Sequence, residues 1–260
     1  MARAPALFVS HGAPTVALEE SPYTRSLTAF GRNLAPAAAV VVSAHWEDRQ
    51  PVRVGSAPRH RTLHDFSGFP APLYALRYPA PGDPTLANEI VERLEAAGVP
   101  AALDPARPLD HGVWVPLRFL LPKADVPVVP VALPRPRGPE EVARIGAALA
   151  TLRDRGILLV GSGGAVHNLS RVAFDRKDAQ PEPWARAFDA WLAGRFDDQD
   201  REALLAWRAA APEPATAHPT TEHLDPAFFV IGAALAPDRT ETVHEGFEYG
   251  NLSMRTLALR

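Results

Sequence analysis

Four of the nine histidines sit where reactive groups collect in an open sheet. His11 lies in LFVSHGAPT, His45 in VVVSAHWE, His167 in ILLVGSGGAVHNL and His223 in HPTTEHLDP. The first three follow segments that read as buried strands, Ala6–Ser10, Ala38–Ala44 and Ile157–Val160. Ligands and catalytic groups gather at the C-terminal ends of strands in α/β sheets. Imidazoles delivered there from distant parts of a chain predict a mononuclear metal site, with one histidine to spare for proton transfer. The chain has no cysteine, so the ligands must be His, Asp or Glu. Three protein ligands with open positions suit non-haem Fe(II) and catalytic zinc alike.

The remaining candidates divide by context. Gly12, beside His11, lets backbone and ligand approach closely. His167 occupies a small-residue turn and is the acid–base candidate. The glycines before it do not form a phosphate loop, because no GK[ST] follows. His111, in LDHGVWVPL, opens a helix beside Asp110, and aspartate often orients histidine. It reads as a hydrogen-bond donor to an anionic substrate or bound oxygen. His64, in HDFSGFP, is a similar candidate. His218, before Pro219, competes with His223 as third ligand, whereas His60 and His244 read as structural or surface residues. A serine hydrolase is excluded on spacing, since Gly161-Ser162-Gly163 is not a G-x-S-x-G elbow, and no H-E-x-x-H helix is present.

Strands alternating with helices must position these groups. Helices are expected over Pro22–Asn33, Pro84–Ala97, Pro139–Arg155, Trp184–Phe196, Arg201–Ala210 and Thr220–Leu235, with a helix developing inside Leu109–Leu121. The second is the best marked: Asp83 caps it, Pro84 fits its first turn, Gly98 stops it, and Leu86, Ile90 and Leu94 form one stripe. Further strands are expected over Val52–Gly55, Pro100–Leu103, Val126–Leu133, Thr242–Phe247 and Ser253–Leu259. Arg59–Tyr78 reads as a long ordered loop, a length often associated with function. The expected fold is α/β: one domain over 1–260, a central mixed sheet flanked by helices, and a metal site at the strand C-terminal ends.

Composition narrows the partners. Apolar residues make up 47% of 260, enough for a large core. Net charge is −3 with no basic block, which argues against nucleic acid. The apolar runs are far short of the roughly 20 residues of a membrane span, and the N-terminal MARAPALFVSHG does not read as a signal peptide. A cytoplasmic protein is expected, of unspecified oligomeric state.

The blocks LFVSHGAPT, VVVSAHW, HDFSGFP, YPAPGDP, LDHGVWVPL, GSGGAVHNL, PTTEH and EGFEYGNLSMRTL run nearly end to end. In that order they resemble the LigB-class extradiol ring-cleavage dioxygenases, specifically the DODA type. The resemblance implies metal ligands at His11, His45 and His223, an acid–base histidine at His167 that leans on the metal in a resting form, and a substrate-side histidine at His111. The wider class often uses two histidines and a glutamate, so Glu222 stands beside His223 for the third place. It further implies a catechol-type, DOPA-like substrate, dioxygen, and one divalent metal: Fe(II) for activity, with Zn(II) found in some members. A zinc hydrolase using the same histidines and a non-catalytic metal-containing binding protein are the competing readings.

Overall fold

Alternation along the first strand decides the architecture. Ala6 and Phe8 enter one hydrophobic core while Leu7 and Val9 enter another, so the sheet is apolar on both faces and needs a layer on each. The computed structural model, which describes residues 3–260, supplies both layers. Its strands are β1 (Ala6–Ser10), β2 (Ala38–Arg49), β3 (Val52–Gly55), β4 (Ala101–Asp104), β5 (Val128–Arg135), β6 (Ile157–Gly163), β7 (Thr240–His244), β8 (Phe247–Glu248), β9 (Leu252–Ser253) and β10 (Thr256–Leu259). Eight of them form one sheet in the order β4-β3-β5-β2-β6-β1-β10-β7, and β8 pairs with β9 apart from it.

The centre of the sheet is parallel, β5-β2-β6-β1. One antiparallel margin runs through β10 and β7, and β3 joins β5 antiparallel on the other side. The sheet is therefore mixed, as expected. The helices are α1 (Pro22–Gly31), α2 (Ala71–Ala75), α3 (Pro84–Ala96), α4 (His111–Leu120), α5 (Pro139–Leu149), α6 (Pro183–Asp197), α7 (Arg201–Leu205), α8 (Trp207–Ala210), α9 (Pro214–Ala217) and α10 (Asp225–Gly232). Leu27 of α1 and Trp114 of α4 pack on the Leu7–Val9 face. Helices α3, α5, α6 and α10 cover the other. In α3 the Asp83 carboxylate accepts from the Leu86 N–H, and Gly98 follows with a positive φ of 73°. The Leu86, Ile90 and Leu94 stripe is buried, each side chain contributing about 1.5–3 kcal/mol.

Several boundaries differ from expectation, each for a local reason. Strand β2 does not stop at Ala44 but runs to Arg49 through a bulge, with Val42 opposite Val131 and Glu47 opposite Leu133. Strand β6 continues past Val160 to Gly163 because it pairs there with Ser10 of β1. The helix expected over Thr220–Leu235 begins only at Asp225, where Pro226 fits a first turn. Helix α5 tightens into a 3-10 turn over Ala150–Arg155 before Gly156. The expected loop at 59–78 contains α2, and the expected Ser253–Leu259 strand is split between β9 and β10.

Candidate metal centre

Three routes bring the histidines together. His11 follows β1 directly. His45 lies inside β2, within the bulge where four residues, Ser43–Trp46, oppose one residue of β5. A bulge bends its strand and re-aims side chains. Sequence pattern places His45 after a strand end; the structure corrects this, because the bulge depends on the partner strand. His223 arrives from the turn before α10. That turn is pressed onto β6, where a β carbon at Gly163 would overlap the His223 carbonyl and one at Gly161 would overlap that of Pro226. The Gly164 N–H donates to the same His223 carbonyl at 2.8 Å.

The ring nitrogens of His11, His45 and His223 lie within 4.8 Å of one another. Nε2 of His11 is 3.0 Å from Nε2 of His45. Hydrogen bonds on the far side of two rings fix their protons. Ser162 Oγ donates to the Gly112 carbonyl at 2.5 Å, so its lone pair accepts from His11 Nδ1–H at 3.0 Å. His223 Nδ1–H donates to Glu222 Oε1 at 3.1 Å. Both arrangements leave Nε2 as an unprotonated donor. Burial, followed by the neighbouring imidazoles, pushes His11 and His223 well below the ordinary histidine range. Burial lowers His45 to about 4, with His111 adding to the effect and Asp110 and Asp65 opposing it. Two buried neutral imidazoles with outward protons, joined by the half-buried His45, are a donor set suited to one divalent ion.

Two further histidines face the cluster. The His167 ring stacks on His223, and burial lowers it to about 4 against the pull of Glu222. His111 opens α4 with its ring 4.0 Å, centroid to centroid, from His45. Its orienting carboxylate is Asp65, not the adjacent Asp110. Asp65 accepts from the His111 backbone N–H at 2.9 Å and from ring Nδ1 at 3.0 Å. Burial opposes ionisation of Asp65, but these hydrogen bonds outweigh it and hold the carboxyl at about 2. Asp110 instead accepts from Ser43 Oγ at 2.6 Å and Arg107 at 2.7 Å.

The other candidates fall away from the centre. Nε2 of His64 is 3.2 Å from the Leu76 carbonyl, and the residue in HDFSGFP that hydrogen-bonds a site histidine is Asp65. His218 is fully buried against Phe188 and Trp207, with Nε2 on the Ala165 carbonyl at 3.0 Å, so it is not part of the ligand cluster. His60 bonds the Val128 carbonyl at 2.8 Å, and His244 contacts Ser26 on the far side of Tyr23. Glu222 lies beside the cluster and groups with His167 and His223. Asp65 and Ser162 were not found by reading the sequence. Their roles rest on contacts across 46 and 151 positions, which leave no local pattern.

The five histidines form one end of a cavity of about 370 Å³. Phe66 closes one wall, edge-on to His111 at 5.7 Å, and packs on Phe69 at 5.4 Å. Leu169 and Phe174 stand at the mouth, 54% and 69% exposed.

Comparison with known proteins gives this geometry a context. Residues 5–258 match the family model described as the catalytic LigB subunit of aromatic ring-opening dioxygenase. The chain is 38% identical over 270 residues to the 4,5-DOPA dioxygenase extradiol of Escherichia coli K12, covering 99% of this chain and 95% of that protein. It is 37% identical to the enzyme of the same name from Beta vulgaris, covering 95% and 92%. The crystal structure of an uncharacterized Escherichia coli K12 protein superposes with a TM-score of 0.85 at 36% identity, covering 99% of this chain and all of that one. Among the described residues, no helix is long and apolar enough to cross a membrane.

Proposed function

Because the chain belongs to the LigB family and is an oxidoreductase of the extradiol, aromatic ring-opening type, we propose that it cleaves a catechol-type ring with dioxygen at a single divalent metal held by His11, His45 and His223. The observation that carries this reading is the convergence of three imidazoles, those of His11 and His223 buried with their outer protons fixed by Ser162 and Glu222, and that of His45 half-buried. Fe(II) is the active metal in this proposal, and Zn(II) an alternative occupant of the same donors. When bound, the metal would gather both diol oxygens and dioxygen at one point and acidify the diol.

The protein's own groups do the rest. His167 is neutral at working pH, because burial lowers it to about 4. It is thus free to accept the phenolic proton and return it later in the reaction. His111 is held by Asp65 through Nδ1, which leaves Nε2 as its free ring nitrogen. When doubly protonated it donates from Nε2 to an anionic oxygen, an electrostatic role. Phe66 and the apolar wall beyond it exclude water from the ring. The names of the relatives make DOPA the first catechol to try.

The test is anaerobic reconstitution with Fe(II), metal analysis, and oxygen uptake over a panel of catechols. One dioxygen consumed per ring, with a yellow semialdehyde or its cyclised product, is expected. A folded, iron-loaded sample inert to every catechol would remove the reading. Hydrolysis by the zinc-loaded form without oxygen uptake would favour the hydrolase instead.

A further inference from the structure

The cavity extends well past the histidines, and its chemistry changes there. Among the described residues that line it, none is Asp, Glu, Lys or Arg. Away from the imidazoles the wall is built from Phe66, Phe69, Val166, Leu169, Phe174 and Leu252. The polar side chains on that wall are neutral hydroxyls, those of Thr15, Tyr249 and Ser253. Ser253 is already engaged, donating to Asp189 at 2.6 Å.

Three cations near this wall have partners of their own, while the exposed Arg171, two residues on from Leu169, does not line the cavity and lies over the Trp184 ring. Arg255 is held on Asp189 through two bonds of 2.6 and 2.9 Å. Lys177, whose carbonyl accepts from the Tyr249 N–H, lies between Glu19 and Glu248. Arg107 is paired with Asp110. A carboxylate or ammonium entering the cavity would lose its water and meet no fixed opposite charge. An alkyl or aryl group would meet only matching surface. The exposed Leu169 and Phe174, which also line the cavity, carry that surface out to the mouth.

We infer that the catechol this cavity selects carries a neutral, apolar substituent, seated against Phe66, Phe69, Leu169 and Phe174, and not the zwitterionic side chain of an amino acid. The inference rests on the ring-cleavage reading for the placement of the diol at the histidines, and it names the part of the substrate that does not react. A hydrophobic pocket discriminates by contacts added or lost, at about 10–200-fold for a single methylene. A butyl-substituted catechol should therefore exceed DOPA in kcat/KM by about tenfold or more.

Equilibrium binding separates this inference from the ring-cleavage reading. The zinc-loaded protein is titrated anaerobically with butyl-, phenyl- and unsubstituted catechol, with DOPA and with dihydroxyphenylpropionate, following tryptophan fluorescence. The expected order places the butyl and phenyl compounds first and DOPA below unsubstituted catechol. The same series is then run on the Fe(II)-loaded protein with oxygen uptake. If the apolar catechols bind best but none is cleaved, the ring-cleavage reading fails and the pocket assignment stands. If DOPA or the propionate binds as tightly as the butyl compound, the inference is overturned, whether or not cleavage occurs. Failure of every catechol to bind overturns both.

A charge placed in the wall gives the converse test. Leu169→Arg alters an exposed side chain, so folding is not at risk. It should raise the affinity for dihydroxyphenylpropionate relative to butylcatechol by about tenfold. An unchanged ratio would show that the substituent does not lie against this wall.

Discussion

The imidazoles of His167 and His223 lie parallel, with ring centroids 3.5 Å apart and planes 5° apart. The contact holds His167 beside the candidate ligands without requiring its own coordination. Its backbone N–H donates to the Ala217 carbonyl at 3.1 Å, which anchors the turn that carries the ring. His167→Ala is therefore expected to keep most of the metal while turnover per bound iron falls about 10²–10⁴-fold, the usual contribution of a positioned proton-transfer group. Near-normal activity per iron would transfer the role to His111. Metal lost in step with activity would make His167 a ligand.

Glu222 and His223 divide the third-ligand question between them. The carboxylate bonds Nδ1 of the neighbouring ring and accepts from Thr220 Oγ1 at 2.9 Å, as expected of an orienting partner. Loss of such a partner typically weakens metal affinity about 10–100-fold. Glu222→Ala should show that partial loss, and His223→Ala complete loss, by metal analysis after dialysis against a graded chelator. The reverse pattern would make Glu222 the ligand.

Local features were the legible ones. Helix α3 announced itself through Asp83, Pro84, Gly98 and its stripe, because caps and periodicity lie within a few residues of what they control. His11 was legible for the same reason, standing directly after an apolar strand. The position of His45 inside β2 was not, since a bulge is a property of two strands and only one is read at a time. Asp65 was hidden behind its neighbour His64, which carries the more conspicuous side chain and bonds only a backbone carbonyl. The helix expected from Thr220 starts instead at Asp225, because Pro226 belongs in a first turn and not in a helix interior. The apolar character of the cavity is assembled from residues between Ala13 and Leu252, and no window of sequence contains it.

Glycine at 163 is required by the approach of the His223 turn to β6. A methyl group there would meet the His223 carbonyl and the carbonyl carbon behind it at 2.9 Å, both backbone and unable to swing aside. Gly163→Ala is expected to cost about 1–3 kcal/mol in urea unfolding, the range for overpacking a close contact. It should also weaken metal binding, because the shift falls on the backbone of a candidate ligand. Gly194→Ala is the control. It lies in α6 with open space around it, and alanine there should stabilise by about 1 kcal/mol through helix propensity. Equal stability changes in the two variants would refute the packing argument.

His218 predicts the acid sensitivity of the fold. Burial lowers its ring to about 4 from the ordinary 6.5, although the Ala165 carbonyl opposes the shift and His167 adds to it. Nδ1 finds no hydrogen-bond partner among the described residues. In the unfolded chain the ring takes up a proton below about 6.5, whereas in the folded chain it stays neutral until the pH nears 4. The unfolded state thus binds more protons across that window, and stability falls as the pH falls. The full contribution is present above pH 6.5, and the loss stops growing below the folded value. For this residue the loss approaches about 1.4 kcal/mol per pH unit within the window. His45 and His167 are lowered in the same direction, so the parent slope is steeper than one proton. His218→Gln keeps an N–H for Ala165 and does not titrate. Urea unfolding of the metal-free proteins at several pH values from 7 down to 4 should give the variant a slope shallower by up to about one proton. Equal slopes would mean that His218 protonates in the folded protein as readily as in the unfolded chain, and the aromatic enclosure by Phe188 and Trp207 would then not control its charge.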